Sequence, residues 1–225
     1  MANTETTINA VIYPQPSETS IDIEKTIKAL ARNKFVVHYF ETAAEAVAYL
    51  KNRIQNKCVA IGDSRTLLEI GVHDALSEVN EDITDIQRPL PGESFRDTAL
   101  RTMGRDVFLT SVNALSQTGE MVNIDGTGNR VAASLFGSQE VFFVLGVNKI
   151  TPDLASAIYR ARNVAAPLNS KKNKKSSLNP CATLDEKCYD CGSPDRICNA
   201  LTIYYKKMRN MQTMEIIIIN ESLGF

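Results

Sequence analysis

The sequence predicts an α/β domain built on a mostly parallel sheet covered by helices. Three observations carry this. Short β-branched and apolar runs alternate with longer amphipathic stretches, the pattern of β–α–β units. Several short runs, such as Val141–Gly146 (VFFVLG) and Ile216–Ile219 (IIII), are apolar along their length, as strands buried on both faces are. A strand followed by a tight turn and a helix recurs along the chain, at Cys58–Leu76 and again from Val141 to Ala165.

The elements follow in order. Ile21–Asn33 reads as a helix with Ile23, Ile27, Leu30 and Ala31 on one face and Ser20 as its cap. Phe35–Phe40 is a strand. Thr42–Ile54 is a helix with Ala43, Ala46, Val47 and Leu50 inward. Cys58–Ile61 is a short strand ending in Gly62-Asp63-Ser64, and a helix is expected from Thr66 to Leu76. Val107–Thr110 and Val141–Gly146 are further strands. A helix opens at Thr151-Pro152 and runs to about Ala165. Met214–Asn220 returns to the same sheet. Pro89–Ser94 is turn chemistry. Asn169–Asn179, with its KKNKK run, reads as an exposed loop on a solvated face. It leads into the cysteine segment, so residues 169–200 form an exposed basic and cysteine-rich stretch within one domain spanning 1–225.

Bulk properties narrow the function. The chain has 225 residues and a net charge near −1, so its overall charge points to no nucleic-acid or membrane partner. The N-terminal residues lack the basic start and apolar run of a secretory signal. No apolar run approaches the roughly 20 residues of a membrane span. A reducing cytoplasm is therefore the expected compartment.

Two stretches suit a ligand. In "AIGDSRTLLEIG", Gly62, Asp63 and Ser64 sit at a strand C-terminus and a helix start, where free N–H groups favour an anion. Asp63 or Ser64 equally suits a helix cap. In "SQTGEMVNIDGTGNRVAASLFG", Thr118 and Gly119 form a turn before the strand Met121–Ile124. Asp125, Gly126, Thr127, Gly128, Asn129 and Arg130 then form a second turn, where glycine lets backbone approach a ligand and arginine can grip a carboxylate or phosphate. Neither nucleotide-binding glycine motif is present. The same residues also suit a turn that caps a helix from Asn129. With Asn113, these residues are expected to line one cavity for a small anion.

The motifs "VNIDGTGNRVAASLFG", "FFVLGVNKI", "RARNVAAPLN", "KCYDCGSPDRICN" and "INESLGF" closely resemble those of the LUD, or lactate-utilisation, domain family, over roughly Ile21–Phe225. The resemblance implies a Rossmann-like core similar to the sugar-phosphate isomerase and coenzyme A transferase superfamily. It implies a role in oxidation of lactate or a related 2-hydroxy acid beside electron-transfer proteins. A non-catalytic ligand-binding or regulatory role is the alternative. The chain departs from the family pattern at Asp63, which replaces a glycine, and at Gln117, where members often carry Glu. In the related transferases that glutamate is the nucleophile. An amide cannot form the acyl-carboxylate intermediate, so coenzyme A transfer is not expected.

Four of the five cysteines, Cys181, Cys188, Cys191 and Cys198, are spaced C-x6-C-x2-C-x6-C. In a reduced compartment this favours a metal site over disulfides. Zinc and an iron–sulfur cluster both remain open. Ser193-Pro194 suits a helix start with Cys198 in an early turn. Cys58 is expected in the core, and His38 and His73 in core or surface roles.

Overall fold

The computed structural model describes residues 20–172, 178–185 and 187–225. Among them, six strands form one parallel sheet. Its order is β1 (Val36–Phe40), β10 (Thr213–Ile219), β7 (Glu140–Gly146), β4 (Val107–Thr110), β2 (Cys58–Ile61) and β3 (Asp82–Asp85). The late strand thus inserts between β1 and β7, pairing with both in parallel. This is the mostly parallel, helix-flanked sheet expected from the all-apolar strands.

The strands bury both faces. On one side Phe108, Phe143, Leu145, Ile216 and Ile218 pack with Leu30, Met121 and Tyr204. On the other Leu109, Phe142, Val144, Ile217 and Ile219 pack with Leu50, Leu67 and Leu76. Neighbouring residues in a strand face opposite sides, so a strand covered twice has no polar phase.

The first helix, α1 (Ile23–Arg32), is capped by Asp22, whose carboxylate accepts from Lys25 N; the cap expected at Ser20 lies two residues later. The second, α2 (Ala43–Arg53), opens with a full capping box between Thr42 and Glu45. The single helix expected over 66–76 is two: α3 (Arg65–Glu69), capped by Ser64, and α4 (Val72–Ser77). Gly71 separates them at φ 67, a left-handed conformation that a helix interior does not allow. A further helix, α5 (Phe95–Arg101), follows the proline-rich turn.

A second sheet was not legible in the sequence. Among the described residues it runs β8 (Ile150–Thr151), β5 (Ala114–Ser116), β6 (Met121–Asp125) and β9 (Ala200–Tyr204). Helix α6 (Asn129–Leu135) starts where expected. The helix expected from Thr151 begins at Leu154, capped by Asp153, and forms α7 (Leu154–Arg160). It then passes through one π turn, Ala161–Ala165, into α8 (Ala166–Lys172). Helix therefore replaces the loop expected over the first residues of 169–179, and Ser170 is buried against Asn179. Lys174 and Lys175 of the basic run lie outside the described residues, as does the N-terminal segment before Ser20. A short helix, α9 (Pro180–Thr183), carries Cys181. The helix expected at Ser193-Pro194 does not form; those residues turn, and Arg196 N bonds back to Ser193 O. Cys58 is half-buried at the start of β2 and not in the core, and a hydrogen bond with Asp82 raises its thiol pKa. No helix among the described residues is long and apolar enough to cross a membrane.

Candidate functional site

All six parallel strands end on one edge, and the expected ligand residues distribute around it unevenly. Gly62 and Ser64 follow β2 directly. A β-carbon at Gly62 would come 2.8 Å from the Phe108 ring, so only glycine fits there without moving the core. Both residues line a cleft of about 210 Å³ with Leu67, His73, Asp85 and Arg88. Asp63 Oδ1 accepts from Gln87 Nε2 at 2.8 Å. His73, which the sequence left without a role, hydrogen-bonds through Nδ1 to Asp85 Oδ2 at 2.8 Å, and Asp85 Oδ1 also accepts from Gln87 N.

The turn after β6 is held by its own side chains. Asp125 Oδ1 accepts from Thr127 N at 3.0 Å and Gly128 N at 2.7 Å. Gly128, at φ 87, precedes Asn129 at the start of α6. Gly126 lies against Ile197, where a β-carbon would come 2.9 Å from its carbonyl oxygen. Arg130 is committed internally: it donates to Ile124 O at 2.6 Å and Asn113 Oδ1 at 3.1 Å, and its Nε lies 3.4 Å from Asp125 Oδ2. Asn113, Asp125, Gly126, Thr127, Asn129 and Arg130 therefore gather at one place. Thr118 and Gly119 do not join them. They form the opposite end of the β5–β6 hairpin, where Gly119 O accepts from Asn33 beside α1. Gln117 is buried there too, its Oε1 accepting from Asp22 N at 2.7 Å.

Between the two groups stands a residue that the sequence reading missed. Lys149 follows β7 in a 3₁₀ turn, Val147–Lys149, and is only 3% exposed. Its Nζ donates to Thr66 Oγ1 at 2.8 Å and Ser111 Oγ at 3.0 Å. Thr66 comes from α3 and Ser111 from the end of β4. Burial, then the charges of Arg160 and Arg130, push the Lys149 pKa down to about 7, while Glu69 opposes this weakly. Arg160, at the end of α7, donates to Asn148 O at 3.1 Å and to Asn113 O. Burial lowers its pKa to about 10. Neither Lys149 nor Arg160 forms an ion pair with a carboxylate among the described residues. Ordinary lysines are exposed or paired with a carboxylate, so a buried lysine bonded only to hydroxyls stands apart from them. The signal was present in "GVNKI": a lysine directly after a buried strand.

The cysteine loop packs against the same turn. Asn199 N donates to Asp125 O at 3.0 Å and Asn199 Nδ2 to Gly126 O at 2.9 Å. Cys188 and Cys198 share a second pocket with Arg162, Arg196 and Ile124. Asp190 N donates to Cys188 Sγ at 3.4 Å, and Asp190 holds a left-handed φ of 46. A C-x2-C turn that aims a backbone N–H at its first sulfur is suited to stabilising a thiolate. Arg162 Nη2 also lies 3.8 Å from that sulfur. Cys198 is raised mainly by burial, lowered by Arg196, and raised further by Cys188 and Cys191, so these three thiols are neighbours. All four loop cysteines are free and of intermediate burial. Among the described residues no three His, Cys, Asp or Glu side chains converge closely enough to hold a metal ion. The donor chemistry and the turn fit a thiolate-bound centre, and the sulfurs would have to close in to hold one.

An open parallel α/β sheet, with cations gathered at its carboxyl edge and a small second sheet beside it, defines the class of this molecule. The chain belongs to the LUD domain family, whose profile matches residues 23–219. It is similar in fold to a DUF162 family protein from Deinococcus radiodurans known from its crystal structure. The identity is 12%, the match covers 87% of this chain and 94% of that one, and the TM-score is 0.50. A comparison with curated proteins found no match.

Proposed function

We propose that this LUD domain protein binds a small anion at the carboxyl edge of its sheet and serves the utilisation of lactate or a related 2-hydroxy acid, the role to which the family is linked. The observation that supports this most is Lys149: a buried ammonium, beside Arg160 and Arg130, bonded only to hydroxyls. A carboxylate there would supply the missing counter-charge. Helix α3, which follows the 62–64 turn, reaches Lys149 through Thr66, and Arg130 bears on it by charge while organising the Asn113–Arg130 turn.

The cysteine loop is proposed to hold an iron–sulfur cluster or a zinc ion through Cys188, Cys191 and Cys198, with Cys181 from α9. Such a centre would supply electron transfer to the redox partners of lactate oxidation, or a structural cross-link. A second reading, a non-catalytic ligand-binding or regulatory protein with a structural zinc, draws on Gln117. That residue is neutral, buried and bonded to Asp22 N.

Calorimetric titration with oxalate, a small dicarboxylate, tests the anion site. Binding is expected to weaken by at least about tenfold in Lys149→Met, the scale of one charge-assisted hydrogen bond. Equal affinity in the folded variant and the parent refutes the site.

A further inference from the structure

We propose that Lys149 is a nucleophilic amine that forms an imine with a small 2-oxo acid seated at the carboxyl edge of the sheet. This rests on the anion-site reading above and adds to it the class of ligand and a covalent step.

The surroundings of Nζ are those of a nucleophile and not of a structural cation. A structural lysine in a protein interior is normally matched by a carboxylate, which keeps it protonated. Lys149 has instead two hydroxyls, Thr66 at 2.8 Å and Ser111 at 3.0 Å, and two guanidinium neighbours. A lysine that is desolvated and set beside other cations is the known means of holding an amine free at neutral pH. Its pKa near 7 leaves roughly half the amine unprotonated at neutrality.

The step balances without any further reactant. The Nζ lone pair attacks the ketone carbon, forming a C–N bond as the C=O π bond breaks, and the oxygen takes a proton. The resulting carbinolamine expels that oxygen as water while nitrogen forms the C=N bond. The net change is amine plus ketone to imine plus water. Thr66 and Ser111 can each accept a proton from nitrogen and return one to the departing oxygen. A 2-oxo acid carries its carboxylate on the carbon next to the ketone. Its recognition therefore needs a cation near a free amine, and Arg160 lies near enough for its charge to bear on Lys149.

Entry requires the C-terminal segment that follows β10 to move. Gly224 lies over the amine, and a β-carbon there would come 3.2 Å from Nζ. The segment is held by Gly224 N to Glu69 Oε2 at 2.7 Å and Leu223 N to Asn148 Oδ1 at 3.1 Å, and more loosely by Thr66 Oγ1 to Leu223 O at 3.4 Å and Asn148 Nδ2 to Gly224 O at 3.5 Å. Release of these bonds would uncover Lys149.

The test is reductive trapping. The full chain is incubated with pyruvate and cyanoborohydride near neutral pH, digested, and mapped by mass spectrometry. The expected result is a reduced pyruvate adduct on Lys149, formed on the order of tenfold or more faster than on exposed lysines of ordinary pKa, and suppressed by oxalate. Lys149→Arg should lose that adduct and still bind oxalate. Adducts confined to exposed lysines, with rates indifferent to oxalate, overturn the proposal. If oxalate binds while Lys149 stays unmodified, the imine alone is wrong; if oxalate does not bind either, the anion site falls with it. Protection of the unmodified protein by oxalate decides the matter even where the arginine variant does not fold.

Discussion

Gly224 is seated against Thr66: a β-carbon at Gly224 would come 2.5 Å from the Thr66 hydroxyl oxygen, which is itself fixed by Lys149. The backbone there is left-handed, at φ 61. Alanine meets both obstacles at once, so Gly224→Ala should lower stability by about 1–3 kcal/mol. Urea unfolding measures this, and an unchanged midpoint would show that the segment does not lie on Thr66.

Lys149 should give the protein a pH-dependent stability of unusual sign. Its folded pKa, about 7, lies below the ordinary lysine value of 10.5. Between those values the unfolded chain binds a proton that the folded chain does not, so folding is progressively weakened as pH falls from 10.5 to 7 and levels off below. The effect is of order 1.4 kcal/mol per pKa unit of depression. Lys149→Met should remove this dependence. Parallel slopes in the variant and the parent over pH 7–10 would refute it. An anion beside the ammonium favours the protonated form, so oxalate binding should weaken as pH rises through 7.

At the other edge of the sheet, Arg53 joins two buried glutamates. Its Nη2 lies 2.5 Å from Glu140 Oε2 and 3.0 Å from Glu215 Oε1, and Tyr49 OH donates to Glu215 Oε2 at 2.8 Å. Both carboxylates are under a tenth exposed. Arg53→Met leaves Glu140 with Lys57 alone, at 3.4 Å, and Glu215 with Tyr49 and His38, and should cost about 3 kcal/mol by chemical denaturation. Restoring neutrality with Glu140→Gln in the same chain should recover part of that loss, whereas simple additivity would argue against the network.

The cysteine loop predicts metal-dependent order. Protein purified without oxygen should carry zinc or iron bound by Cys188, Cys191 and Cys198, and Cys188→Ser should release it together with protection of amides 187–199 from hydrogen exchange. Metal content near zero in anaerobic protein, with stability indifferent to chelator, would defeat this.

The parallel sheet was legible because strands buried on both faces are apolar in successive residues, as Val141–Gly146 and Ile216–Ile219 are. Thr42 was legible as a helix start because a capping box is local chemistry. The break at Gly71 was also available, as a glycine within an expected helix. The second sheet was not: Ala114–Ser116 and Ile150–Thr151 are too short to show a period, and their pairing joins residues far apart in sequence. The expected helix at Ser193-Pro194 failed because the local signal was overruled by long-range bonds, such as Asn179 Nδ2 to Asp195 O.

By itself the sequence determined the helix-flanked parallel sheet, the family, and the presence of two glycine turns and a C-x2-C loop, since these depend on composition and on neighbours along the chain. Only the tertiary structure decided which of those residues meet. It sent Thr118 and Gly119 to the far end of a hairpin, turned Arg130 inward to clasp its own loop, and placed His73 on Asp85. It also buried Lys149 between two hydroxyls from distant segments. A side chain's charge state depends on the dielectric and the partners around it, and those are supplied by residues such as Thr66 and Ser111 that no local pattern connects.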